Sequence, residues 1–237
     1  MRSPLLITAI FICSIVCARS LTLNDFHAGR GRNWNAIKLL EQGDREWSAG
    51  NLQAARSDID AAIRTDPTLW VAIFWRARLS SDERKWDQVI RDCNEVLRQD
   101  SSFVEAAVLR AKAEIALGRY AASLRDLNDS LRFQPTLLET YALALNRRAW
   151  LRATCPDASI RNGRAAVDDA KKACNITKRK EANMIDTLAT AYAEAGDFDS
   201  AIRYEEQAMT APDANEISRS MQEHMALFKQ HRPVRLK

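Results

Sequence analysis

The chain has 237 residues, 46% of them apolar and 28% charged, with only 7 Gly and 6 Pro. That is enough apolar material for a packed core and too little turn chemistry for the many strands of a sandwich or barrel. Thirty-five basic residues against 31 acidic ones leave a formal charge of +4, too weak a field to imply a nucleic-acid partner.

The chain opens on an address. Arg2 precedes the apolar run 5–16, and Val16-Cys17-Ala18 places small or modest side chains where a leader peptidase needs them. Residues 1–18 are therefore expected to be a cleaved signal that exports the protein to a periplasm or to the exterior. The run is shorter than the about 20 residues that cross a bilayer, so an uncleaved anchor is the weaker alternative and no stable membrane span is expected. Residues 19–35 read as a linker. Once the signal is removed, Cys93, Cys155 and Cys174 remain, an odd number. No two have the spacing of zinc ligands, and His27, His224 and His231 fall near the ends. Neither a metal site nor a cofactor is expected.

The body of the chain repeats itself. Gly50-Asn51-Leu52, Arg84-Lys85-Trp86 and Gly118-Arg119-Tyr120 are spaced by 34 residues, and so are Pro67, Ser101 and Pro135. Such a period means stacked helical hairpins. In each hairpin, small residues are expected where helix A crosses helix B: Gly43, Ala55 and Ala62 in repeat 36–69; Ala77, Val89 and Val96 in repeat 70–103; Ala111, Ser123 and Ser130 in repeat 104–137. Leu52, Trp86, Tyr120 and Phe198 would each open a helix B, and Ile59, Cys93 and Leu127 would point from helix B into the core.

These positions resemble the tetratricopeptide-repeat family. The fourth repeat, 142–179, is irregular because Cys155-Pro156-Asp157 and the stretch to Gly163 lengthen its turn. The fifth, 182–213, carries Leu188-Ala189-Thr190-Ala191-Tyr192-Ala193-Glu194-Ala195-Gly196-Asp197-Phe198. Together with Ala153-Thr154-Cys155-Pro156-Asp157, it is similar to a variant pair of closing repeats in exported bacterial members of that family. The resemblance implies an all-α, right-handed superhelical solenoid over 36–212. Asp213 and Glu216 have the spacing of a capping box for a helix 214–231 with the stripe Ile217, Met221, Met225 and Phe228, which would close the end of the core. Residues 232–237 read as a solvated basic tail.

No catalytic constellation is visible. The chain has no G-x-S-x-G, no G-x-x-x-x-G-K and no H-E-x-x-H, and an enzyme is not expected. Asp168-Asp169 and Glu205-Glu206 are adjacent pairs that diverge by about 100° on a helix and read as surface charge. A Cys155–Cys174 disulfide is disfavoured: Cys155 ends helix A while Cys174 lies near the far end of helix B, about 16 Å of helix beyond Gly163 and past the ~7 Å Cα limit for a bridge unless the long turn folds back.

What the family resemblance implies about function is a concave face lined by helix A that holds a peptide or partner protein. The positions that match are Leu40, Asp44 and Trp47; then Phe74, Arg78 and Ser81; then Glu105, Val108, Lys112 and Ile115; then Asn146, Trp150 and Ala153; and last Asn183, Asp186, Thr190 and Ala193. Of these, Trp47, Phe74, Arg78, Lys112, Ile115, Asn146, Trp150 and Thr190 are the candidate contacts, with a packing role as the alternative for the aromatics. Aromatic area beside Arg78 and Lys112 suits a peptide with an apolar anchor and a carboxylate. The family's carboxylate clamp for chaperone tails is absent, since Leu40, Asp44, Glu105 and Leu109 occupy its places. The expectation is a non-catalytic scaffold for a protein ligand, with an accessory subunit of an exported or envelope enzyme complex as the alternative.

Overall fold

The computed structural model describes residues 33–132 and 138–236. The expected signal at 1–18, the expected linker 19–35 up to residue 32, His27, the Pro135 end of repeat three and Lys237 lie outside the described residues. The described residues form eleven α-helices and no strand. In chain order they are α1 (Trp34–Ser48), α2 (Leu52–Thr65), α3 (Trp70–Asp82), α4 (Trp86–Gln99), α5 (Val104–Ala116), α6 (Tyr120–Ser130), α7 (Leu138–Thr154), α8 (Gly163–Ile176), α9 (Ala182–Glu194), α10 (Phe198–Met209) and α11 (Ser218–Lys229). Leu52, Trp86, Tyr120 and Phe198 are the first residues of α2, α4, α6 and α10.

One local device makes the tight hairpins. After α1 the Asn51 N–H reaches back to the Glu46 carbonyl and the Gly50 N–H to Trp47, and the same pair of bonds recurs after α3, α5 and α9. This satisfies the last helical carbonyls and requires a left-handed residue just past the helix. Gly50, Gly118 and Gly196 supply it, while Arg84 takes it at φ 57°. Between hairpins, Asp66 and Asp100 each accept from the backbone N–H and hydroxyl two residues ahead, at Thr68 and Ser102, which stops the helix and turns the chain.

The helices fall into two compact units, one ending at Leu109 and the other beginning at Arg110, so the division lies inside α5. In the first unit α1 packs on α2, α2 on α3, and α3 on α4. A Cβ at Gly43 would stand 3.0 Å from Ile59 Cγ1 and 3.2 Å from the Ala55 carbonyl, so α1 and α2 approach closely enough there that any larger residue would have to push its neighbours aside. Ile59, Ala62, Ala72, Leu79, Val89, Cys93 and Val96 have no exposed surface; burying each of the larger aliphatic ones contributes about 1.5–3 kcal/mol. The helices are further clamped by Arg76 of α3, which donates to both carboxylate oxygens of Asp92 at 3.0 and 2.7 Å and to Asp60 at 3.3 Å.

The second unit repeats the clamp. Arg110 pairs with Asp126 at 2.6 and 2.7 Å, and Arg148 pairs with Asp169, which also receives Arg152 at 2.8 Å. Asp169 is thus a buried partner, 3% exposed, and not the surface charge its sequence neighbourhood suggests. α7 packs on α8, α8 on α9, and α9 on α10. Gly163 opens α8 against the end of α9, where a Cβ would come within 2.6 Å of the Ala195 nitrogen. Cys155 and Cys174 are buried free thiols, with Cys174 Sγ donating to the Met184 carbonyl at 3.3 Å, so no bridge joins them.

Two expectations for the C-terminus need correction. The capping box does not form: Asp213 accepts instead from the Ala182 N–H at 2.9 Å, answering an orphan donor at the start of α9. Residues 214–216 make a single 3-10 turn, and the closing helix begins at Ser218. Met221, Met225 and Phe228 are its buried stripe. Nor is the tail wholly solvated. The Leu236 N–H donates to the Thr154 carbonyl at 2.9 Å, Arg235 pairs with Glu194 at 2.6 Å, and Val234 is buried with Ala189, Ala193 and Phe228. The apolar Val234 and Leu236 between the charges account for this docking.

Candidate functional site

In the first unit, α1 sets Leu40, Asp44 and Trp47 at helical spacing, and α3 does the same for Phe74, Arg78 and Ser81. Trp47 is only 7% exposed and meets Trp75 edge-on at 5.9 Å. Phe74 is half-buried and packs its ring on Phe103 at 4.8 Å. Both aromatics therefore belong to the packing first and offer only their remaining edges to a ligand. Arg78 is different. Its guanidinium lies over the Trp47 ring, 5.4 Å from the centroid, and makes no ion pair among the described residues. Burial pushes it down to about 10, against the pull of Asp82 and Asp44. Burial likewise raises the Asp44 carboxyl, with Arg78 and Arg45 opposing. A desolvated guanidinium whose donors are not taken up by a carboxylate is a ready partner for an incoming carboxylate or carbonyl.

In the second unit Lys112 and Ile115 are half-buried on α5. Asn146 and Thr190 are interior residues, 8% and 0% exposed, with Asn146 Oδ1 and Thr190 Oγ1 unpartnered. Trp150 packs into the cluster formed by Phe228, Val234 and Ala193, and its ring lies 5.7 Å from His224. These three candidate contacts are thus enclosed or partly covered by the protein's own interior and C-terminal segment, where a groove residue would have to be open.

The same region gathers three residues that spacing kept apart. Asp186 of α9, Glu205 of α10 and His224 of α11 bring one donor atom each to within 4.8 Å of one another. His224 Nδ1 lies 2.6 Å from Asp186 Oδ1 and 4.0 Å from Glu205 Oε1. Asp186 is 6% exposed and Glu205 has no exposed surface at all, which overturns the reading of Glu205 as surface charge. Neither Glu205 oxygen finds a hydrogen-bond donor. Burial, with the Asp186 carboxylate beside it, raises the Glu205 carboxyl well above the usual range.

Glu114 and Arg147 are further perturbed groups that their sequence positions do not mark. Burial next to Asp126 raises Glu114 to about 7, although Arg110, Arg125 and Arg119 oppose the shift, and its Oε2 is unpartnered. Arg147 is pushed down to about 10 by burial alone. No motif flags either residue, because a single charge on an amphipathic helix has no signature. The Arg–Asp clamps did leave one: Arg76 and Arg110, like Asp92 and Asp126, are 34 residues apart.

No family model and no curated protein sequence matches the chain. Among solved structures it is similar to a chain of the Cut9-Hcn1 hetero-tetramer of the APC/C, at 18% identity and TM-score 0.70, over 94% of this chain and 39% of that one. It is also similar to TTC0263, a thermophilic tetratricopeptide-repeat protein of Thermus thermophilus, at 18% identity and TM-score 0.62, over 79% of this chain and 97% of the other. A tetratricopeptide-repeat protein from Parabacteroides merdae matches at 19% identity and TM-score 0.63, covering 84% of this chain and 74% of its own. These likenesses establish the fold as helical hairpins of the tetratricopeptide type.

Proposed function

We propose that the protein is an exported, non-catalytic scaffold that binds an extended peptide or a partner segment on the helix-A face of its first unit. Arg78 carries the reading. A guanidinium stacked on Trp47, depleted of water and paired with no carboxylate, leaves hydrogen-bonding capacity that an acidic or carboxyl-bearing ligand would satisfy, while the edges of Trp47 and Phe74 accept an apolar anchor. The fold is compatible with this: Cut9 and Hcn1 associate in a hetero-tetramer on a similar framework. Export rests on the pattern of residues 1–18.

The test is selection of peptides from a random displayed library on the full chain, followed by titration of the enriched sequences. Apolar residues beside a carboxylate should be enriched. Arg78→Glu should weaken them by about tenfold or more, the scale of a lost charge-assisted contact, with helical circular dichroism unchanged. Enriched peptides that bind the variant as well as they bind the natural chain would refute the proposal.

A further inference from the structure

Asp186, Glu205 and His224 come from three packed helices of the second unit, the A and B helices of the last hairpin and the helix that closes it. We propose that they form a structural site for one divalent first-row transition cation of the zinc type, which fastens α11 to the last hairpin.

Glu205 calls for a counter-charge. A carboxylate with no exposed surface and no donor to either oxygen is a costly group to keep unless something of opposite charge meets it. No Lys or Arg forms an ion pair with it among the described residues; it faces another acid and an imidazole. Elsewhere in the molecule the buried acids Asp92 and Asp169 are each met by arginine, and Glu114, though one oxygen is unpartnered, lies in the field of Arg110, Arg125 and Arg119; at Glu205 the neighbouring charge is Asp186.

The donor set narrows the choice of cation. Two carboxylates and one imidazole suit a borderline ion better than calcium or magnesium, which take oxygen ligands in larger number. The charges close: a dication, two carboxylates and a neutral imidazole sum to zero. Coordination at His224 Nδ1 requires the Nε2–H tautomer, so the cation takes the place of the proton between His224 and Asp186, and protons displaced from Nδ1 and from the two carboxyl groups go to solvent.

The spacing of the donors agrees. Ligand atoms about 2.1 Å from a tetrahedral centre lie about 3.4 Å apart. The two contacts at His224 Nδ1, 2.6 Å to Asp186 and 4.0 Å to Glu205, bracket that value. Small rotamer adjustments would seat the ion, with water in the fourth position. The site differs from the peptide face proposed above and stands without it.

Metal-stripped full chain is titrated with ZnCl2, with MgCl2 as control, while bound metal, melting temperature and the visible spectrum of the Co2+ form are recorded. The expected results are about one Zn2+ per chain, a higher melting temperature with Zn2+ but not with Mg2+, and a tetrahedral Co2+ spectrum. Glu205→Gln keeps the shape and removes the charge. It should stay folded, melt no lower than the stripped natural chain, and lose about tenfold or more in Zn2+ affinity together with the Co2+ spectrum; His224→Ala should lose as much. A natural chain that takes up no Zn2+, or variants that bind it equally well, would overturn the site and leave a triad that only shares protons.

Discussion

Asp92 and Glu205 are both buried acids on the B helix of a hairpin, and the two hairpins treat them in opposite ways. In the α3–α4 hairpin Asp92 receives both prongs of Arg76 and a further bond from Gln88 at 2.8 Å. At the closing end Glu205 lies beside Asp186 and His224, and no Lys or Arg forms an ion pair with it among the described residues. The difference begins in the repeat register. Arg76 and Arg110 stand eight residues before their turn residues, Arg84 and Gly118, and Asp92 and Asp126 stand eight after them; counted from Gly196, the same places hold Leu188 and Tyr204. The clamp that neutralises a buried acid inside a regular repeat is missing from the last one, and its acid is shifted by one position. Of this pair, Asp92 is ordinary scaffolding because the repeat supplies its arginine, while Glu205, facing an acid and an imidazole, marks a site of another kind.

The sharpest way to break this contrast is to remove the partner that exists. Arg76→Ala leaves Asp92 buried with only Gln88, and should cost about 3 kcal/mol in urea unfolding. A metal-free Glu205→Gln that cost as much would show the two acids to be equivalent after all. A smaller effect is expected at the long turn of the fourth hairpin. Gly163→Ala drives a methyl against the Ala195 backbone, where little can yield, and should cost about 2 kcal/mol, seen as a lower melting temperature.

Smallest is Glu114, a buried acid of the second unit raised to about 7 from an ordinary 4.5. A folded-state value above the unfolded one means that the folded chain holds the proton more tightly. Its penalty is absent below pH 4.5, grows as pH rises toward 7, and is complete above that. Glu114→Gln should match the natural chain at low pH and melt about 2–4 °C higher above about pH 7, the shift worth about 1 kcal/mol in a chain of this size. Equal melting curves across that range would show the group to be solvated.

The scaffold was legible because its causes are local or periodic. A 34-residue spacing of Gly50, Arg84 and Gly118 marks helix ends that need a left-handed residue, and the hydrophobic residues after each turn mark helix starts. The capping box failed for an equally physical reason: Asp213 has a better use 31 residues back in the chain, at an orphan N–H of α9. The candidate site divides in the same way. Arg78 and Trp47 were visible as positions on a helix face, but their contact at 5.4 Å was not. Thr190 and Asn146 looked like groove residues because sequence position says nothing about what the rest of the chain covers.

From sequence alone came the all-α class, the hairpin period, the core positions and the absence of familiar catalytic motifs, all of them written in spacings shorter than one repeat or equal to it. Only the tertiary structure decided which charges are buried and what they face. His224 lies 38 residues beyond Asp186 and 19 beyond Glu205, intervals that match no helical or repeat period. Their meeting depends on how α11 docks on the last hairpin, a packing outcome driven by Met221, Met225 and Phe228, which carry no record of the polar cluster they bring together.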